Sequence, residues 1–178
     1  QGWRECRPAT PAPAVIAVTA PRFRTWYGSG TVEPSADSAL RILILEPDQK
    51  VRASLLRYVV KGWQGAAVQS TSGTLTEALA DPERLKNFDV LLVGCDFSDD
   101  GTADNPTLQA IRAVAAEPRN PAIILLTTKG SEYTAVQAIK SGAFDYIPKT
   151  LLGREEVLSA LQRAMLHRKG LLGARGGT

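Results

Sequence analysis

Residues 41–52 read RILILEPDQKVR, and this stretch sets a pattern that the rest of the chain repeats. It begins with an unbroken apolar run at residues 42–45, which is typical of a strand covered on both faces. Asp48 then stands where it can cap a helix, and Leu55 and Val59 recur behind it at helical spacing. The stretch therefore predicts a buried strand followed at once by an amphipathic helix.

The same alternation of apolar runs and helical patterns continues towards the end of the chain. Further strands are predicted at residues 66–70, 90–93, 123–126 and 144–147. The helices between them carry start signals, which are a capping box at Thr74 and Glu77, Asn105 before Pro106, and Ser131. A last helix is predicted over residues 154–168.

Strands that alternate with helices imply parallel pairing through right-handed crossovers. We therefore predict a doubly wound α/β fold, with a five-stranded parallel sheet and helices on both faces. In the helix that Ser131 opens, Val136 and Ile139 are predicted to face the core. Ligands of such folds bind beyond the carboxyl ends of the strands, so a functional site is expected at that edge.

Eight positions stand at or just beyond the carboxyl ends of the predicted strands: Glu46, Pro47, Asp48, Gly94, Asp96, Thr127, Tyr146 and Lys149. The set combines acids, a hydroxyl and a lysine. It also includes a proline and a glycine, neither of which can supply a functional group. A polar site is therefore expected at this edge of the sheet.

These segments together resemble the receiver domain of two-component response regulators, the CheY-like fold. The resemblance rests on RILILEPDQKVR, on FDVLLVGCDF at residues 88–97, on IILLTTKG at residues 123–130 and on SGAFDYIPK at residues 141–149. In that family two acids after the first strand and an aspartate after the third hold Mg²⁺, and this aspartate accepts a phosphoryl group. A hydroxyl after the fourth strand and a lysine after the fifth contact the new phosphate.

Matched to that family, the chain lacks the phosphoacceptor, because Gly94 stands at its position. Glu46 matches the first acid, whereas Pro47 stands where the second acid is lost. Thr127 and Lys149 match the hydroxyl and the lysine. The resemblance thus implies a degenerate pseudo-receiver that is not an enzyme and has no catalytic residue. It also implies that Mg²⁺ binding is lost or weak.

Other site positions leave alternatives open. Asp96 is the alternative phosphoacceptor, although two residues along a strand span about 7 Å, too far to use the same Thr127 and Lys149 geometry. Asp48 is interpreted as a helix cap rather than a pocket acid. Tyr146 matches the aromatic that reports the switch state in phosphorylatable relatives, and its simpler interpretation is a half-buried strand aromatic.

Lys149 at a semi-buried strand end needs a partner. With the aspartates lost, Glu46 is the best candidate and Asp96 the second. We hypothesise a Lys149–Glu46 pair that neutralises the pocket and holds the domain in one state. A nucleotide- or flavin-binding protein of the same architecture is a weaker alternative, because no G-x-G-x-x-G follows the first strand.

The function predicted from this resemblance is a phosphorylation-independent module for protein interaction, dimerisation and regulation in two-component-type signalling. The family makes contacts through the face of the fourth helix, fifth strand and fifth helix. Here that face would be drawn from Glu132, Tyr133, Gln137, Lys140, Asp145, Tyr146, Arg163 and His167. Receivers regulate an attached or separate output domain, so a covalently attached C-terminal output domain is expected.

Length and composition fit one domain with extensions. The chain has 178 residues, of which 44% are hydrophobic, and its net charge is +3. We predict a disordered Pro-rich leader at residues 1–38, the receiver-like domain at 39–168 and a Gly-rich basic linker at 169–178. The basic groups are too spread to favour nucleic acid, and no apolar run suits a membrane. Two isolated cysteines favour a cytoplasmic location.

Overall fold

The computed structural model describes residues 14–17, 40–95, 105–128 and 132–175. The strands of this part are β1 (Ala14–Ala17), β2 (Arg41–Leu45), β3 (Ala67–Thr71), β4 (Val90–Cys95), β5 (Ala122–Thr127) and β6 (Asp145–Pro148). Its α-helices are α1 (Gln49–Gly62), α2 (Leu75–Ala78), α3 (Pro82–Leu85), α4 (Pro106–Ala115), α5 (Glu132–Lys140) and α6 (Arg154–Arg175). A short 3₁₀ helix, Lys149–Leu151, follows β6.

The strands form one sheet in the order β1-β3-β2-β4-β5-β6. The five strands from β3 to β6 are parallel neighbours, which confirms the predicted doubly wound α/β fold. β1 is the exception, since it pairs antiparallel with β3 at the edge of the sheet. Its four residues fall within residues 1–38, for which a disordered leader was predicted, and the structure shows a strand there instead.

Each face of the sheet buries its own apolar layer. Ile42 and Ile44 belong to the layer that includes Leu161 of α6, whereas Leu43, between them, belongs to the layer that includes Ile111 of α4. This alternation follows from the period of two in a strand. Each of these side chains is almost fully buried, and such burial contributes about 1.5–3 kcal/mol apiece. The two layers therefore hold the carboxyl edge of the sheet in place.

The predicted helix start signals are confirmed at three of the four helices that carry them. Asp48 caps α1 by accepting hydrogen bonds from the backbone N–H groups of Lys50 and Val51. Thr74 and Glu77 form the capping box that opens α2, and the Asn105 side chain caps α4 ahead of Pro106. The fourth signal, Ser131 before α5, lies outside the described residues.

The prediction for the inward face of α5 is wrong. Val136 and Ile139 are each 47% exposed, whereas Thr134 and Ala138 are buried. Small side chains at an i, i+4 spacing let the helix approach the sheet closely, so the bulkier residues lie on the opposite stripe. The larger apolar side chains indicated the wrong face because apolar character alone does not specify how close a helix packs.

Two further helices differ from the sequence prediction. The short helix opened by the Thr74 capping box forms as predicted, but a second short helix that was not predicted follows it, because Asp81 caps a helix that begins at Pro82. The last helix continues to Arg175 and so extends into residues 169–178, where a linker was predicted. Among the described residues, no helix combines the length and apolar character needed to cross a bilayer.

Candidate functional site

The carboxyl edge of the parallel sheet brings together residues from three strands. Glu46 directly follows β2, Gly94 lies near the end of β4, and Lys149 directly follows β6. The register pairs Leu45 with Val93, so the next step along both strands sets Glu46 beside Gly94. Glu46, Gly94 and Lys149 are therefore neighbours at this edge, although 103 positions of the chain separate the first from the last.

Glu46 and Lys149 form a buried ion pair. The Lys149 Nζ lies 3.1 Å from Oε1 and 3.0 Å from Oε2 of Glu46. The Glu46 side chain is 1% exposed and that of Lys149 is 9% exposed. Lys149 Nζ donates a hydrogen bond to Oε1. Its contact with Oε2 is within ion-pair distance but lacks hydrogen-bond geometry. The backbone N–H of Asp48 donates a second hydrogen bond to Oε1, at 3.0 Å.

Gly94 leaves the space that the Glu46 carboxylate fills. A Cβ added at position 94 would lie 2.9 Å from Oε1 of Glu46 and would overlap Cδ and Oε2. Any side chain at position 94 therefore competes with Glu46 for one volume. The sequence reasoning predicted the pairing with Lys149 but missed this overlap. The overlap depends on the register of β2 against β4, for which the sequence holds no signal.

Pro47 and Asp48 contribute no group to this ion pair through their side chains. Both residues are exposed, and Oδ1 of Asp48 accepts hydrogen bonds of 2.8 Å and 3.0 Å from the N–H groups of Lys50 and Val51. The Val51 N–H is the main cause that holds the pKa of Asp48 below its ordinary value of 3.8, with further lowering by Lys50 and by the Lys149 charge and an opposing effect of desolvation. The stability that the charged Asp48 cap gives to α1 is therefore complete at pH values above the ordinary pKa of 3.8. It is lost as the pH falls through the lowered pKa of the folded state.

Thr127 and Tyr146 lie on the strands beside the ion pair. Thr127 is buried at the end of β5, where it is the register partner of Cys95. Tyr146 is partly buried in β6, and burial raises its pKa above the ordinary value of 10.0, with a smaller contribution from the charge of Cys95. Cys95 thus belongs to this environment, although its residue type gave no signal of it. Asp96, the alternative acid, lies outside the described residues.

The described residues at this edge offer little to a divalent cation. Both oxygens of their one inward carboxylate, Glu46, already face the Lys149 ammonium. Across the described ranges, no cluster of three or more His, Cys, Asp or Glu side chains has the arrangement of a metal site. Mg²⁺ prefers near-octahedral oxygen coordination, usually with one or two carboxylates, and the present geometry does not fit that requirement.

Comparisons with known proteins agree on the fold of the domain. No family model matches the chain. A stretch of 129 residues is 33% identical to the transcriptional regulatory protein ZraR of Salmonella typhimurium, and it covers 71% of this chain but only 26% of ZraR. A solved Burkholderia pseudomallei protein described as pilus assembly-related has a TM-score of 0.61 and 23% identity, covering 76% of this chain and 94% of its own.

The signal receiver domain of a protein described as a LuxO repressor, from Vibrio parahaemolyticus, has a TM-score of 0.60 and 19% identity. This match covers 79% of the present chain and 99% of the solved one. The structural likenesses show the fold, and the similarity to ZraR adds sequence support. Together they show the CheY-like fold and a sequence similarity to one part of a transcriptional regulatory protein. The chain spans about a quarter of ZraR, so the similarity concerns the matched part alone.

Proposed function

We propose that this domain is a response-regulator receiver that works without phosphorylation, as a protein-interaction and regulatory module in two-component-type signalling. The observation that carries the proposal is the Glu46 carboxylate, which fills the space beside Gly94 and is neutralised there by Lys149. A carboxylate from the neighbouring strand thus takes the place where the resemblance expects the phosphoacceptor side chain. The pair holds the pocket in a single state.

Phosphoryl transfer to this pocket would lack its essential parts. Gly94 has no nucleophilic side chain, and Pro47 supplies no carboxylate for a metal. The lysine that would receive a new phosphate is already bound to Glu46. Phosphoryl transfer depends on positioning and on charge neutralisation, so their joint loss removes the reaction. We therefore propose that the domain is not an enzyme and that it binds Mg²⁺ weakly or not at all.

The surface proposed for partners is the face formed by α5, β6 and α6. On α5, Tyr133 is 58% exposed, and the exposed Val136 and Ile139 continue its apolar stripe. On the neighbouring elements, Arg163 of α6 forms an ion pair with Asp145 of β6. An exposed apolar stripe bordered by charges is typical of protein interfaces. We propose self-association or a protein partner here, rather than nucleic acid, in a cytoplasmic protein with an attached output domain.

The absence of phosphorylation can be measured directly. After incubation with acetyl phosphate and Mg²⁺, we expect no phosphoryl mass gain on the intact chain, whereas a phosphorylatable receiver treated in parallel gains one. We also expect beryllofluoride with Mg²⁺ to leave the amide spectrum unchanged. A base-labile mass gain that disappears in Asp96→Ala, but persists in the matched control Asp99→Ala, would establish Asp96 as the acceptor and overturn the proposal.

Disruption of the α5 stripe tests the interaction surface. Val136→Glu combined with Ile139→Glu should weaken self-association at least about tenfold, because two buried charges would face an apolar interface. Unfolding should change by no more than about 0.5 kcal/mol per site, since both side chains are exposed. Sedimentation equilibrium gives the association constant, and Leu151→Glu, at a 66% exposed residue outside the stripe, is the matched control. Equal association of all these variants would place the interface elsewhere.

A further inference from the structure

Apart from its pairing with β1, strand β3 lacks the sequence features that protect sheet edges. Its sequence, AVQST, contains neither a charged residue nor a proline. Edge strands of this kind present unpaired backbone N–H and C=O groups that pair readily with another chain. Within the five-stranded parallel sheet, β3 is the outer strand on this side, so its free edge requires a cover.

β1 supplies that cover from within the same chain. It pairs antiparallel with β3, with Ala14 opposite Ser70 and Ala17 opposite Ala67. In the sequence, Pro13 directly precedes β1 and Pro21 follows it closely. A proline has no backbone N–H to donate, so the sequence around β1 opposes growth of the sheet beyond it. β1 therefore closes the sheet where β3 alone would leave it open.

The cover is short and attached through a long connection. Four residue pairs join β1 to β3, and residues 18–40 separate β1 from β2. Because β1 belongs to the same chain, its pairing with β3 is intramolecular and is favoured over pairing with another molecule in dilute solution. An outer strand held by four residue pairs is among the parts of a sheet that open at low free-energy cost, so reversible opening of β1 is the step on which the proposal depends.

We propose that the edge of β3 that β1 now occupies becomes a pairing surface for a second copy of this chain when β1 is displaced, so that β1 acts as its intramolecular cover. The edge already accepts an antiparallel strand. Two copies related by a two-fold axis would present their β3 strands to each other in that same antiparallel sense. No charge on either strand would oppose the contact. The surface lies on the opposite edge of the sheet from β6 and does not depend on the Glu46–Lys149 pair.

The test uses the full chain carrying Val136→Glu and Ile139→Glu, so that the α5 stripe does not contribute. Adding Val15→Pro and Ile16→Pro removes two backbone N–H groups from β1, whereas Val15→Thr and Ile16→Thr keep them as the matched control. We expect faster amide exchange over residues 67–71 in the proline variant. We also expect it to dimerise at a concentration at least about tenfold lower than the control by sedimentation.

A competing peptide and a further substitution test whether any dimer forms through the β3 edge. A synthetic peptide of residues 11–21, PAPAVIAVTAP, should dissociate the dimer by restoring the cover in trans. Gln69→Lys in the proline variant should abolish it, because like charges oppose antiparallel pairing. Unchanged exchange over residues 67–71 would refute the role of β1 as a cover. Faster exchange without dimers, or a dimer that survives both peptide and Gln69→Lys, would refute pairing with a second copy.

Discussion

Lys149→Met is expected to lower the free energy of unfolding by about 3–5 kcal/mol, because it leaves Glu46 buried without its counter-charge. The Glu46 side chain is 1% exposed, so water cannot replace the lost ammonium without a structural change. Chemical denaturation at neutral pH measures the loss. Glu46→Gln should also destabilise, since the ammonium would then face a neutral amide in the same buried position.

The double variant Glu46→Gln with Lys149→Met completes the thermodynamic cycle. It should be more stable than the sum of the two single losses predicts, because neither charge remains buried alone. Lys86→Met is the matched control, as Lys86 pairs with Glu83 and Glu117 at the surface. We expect a clearly smaller loss there, since surface ion pairs contribute little. Additive single losses, or a Lys149→Met variant as stable as the Lys86 control, would show that the buried pair does not hold the site.

Gly94→Ala is expected to destabilise the domain by about 3 kcal/mol, because the new Cβ displaces the Glu46 carboxylate from Lys149. Gly170→Ala is the matched control. A Cβ at position 170 has no heavy atom within 4 Å, and alanine favours a helix over glycine by about 1 kcal/mol. Thermal and urea unfolding should therefore show that Gly94→Ala is less stable than the native chain and that Gly170→Ala is more stable.

A compensating substitution at Glu46 tests why side chains at position 94 destabilise the domain. It distinguishes competition with Glu46 for one volume from a general intolerance of substitution at this position. Glu46→Ala empties the volume beside Gly94, so Gly94→Asp should be tolerated better in that background than alone. The carboxylate introduced at position 94 would then be the one available to Lys149. The double variant should still fail to accept phosphate from acetyl phosphate, because Pro47 supplies no second metal ligand. If Gly94→Ala is as stable as the native chain, or Glu46→Ala brings no rescue, the competition for one volume is refuted.

The parts of the fold that depend on local chemistry were predictable. Continuous apolar runs at residues 42–45, 90–93 and 123–126 indicated strands buried on both faces, and the structure places them in the middle of the sheet. Caps at Asp48 and Asn105 followed from side chains that accept hydrogen bonds from nearby N–H groups.

Features that depend on distant contacts were not predictable in the same way. The inward face of α5 is set by how closely Ala138 and Thr134 let the helix approach, so apolar periodicity pointed to Val136 and Ile139 instead. The antiparallel position of β1 depends on an open edge at β3, which no local pattern around Ala14–Ala17 reveals. Both results follow from packing between elements that are far apart in the chain.

The features of the candidate site also divide into those that the sequence determined and those that depended on the tertiary structure. The sequence alone determined that position 94 has no side chain and that Glu46 and Lys149 remain at strand ends. Only the tertiary structure decided that the Glu46 carboxylate fills the space beside Gly94 and is held there by Lys149. The physical reason is strand order: β2 and β4 are neighbours in the sheet but not in the chain, and their register sets Glu46 against Gly94.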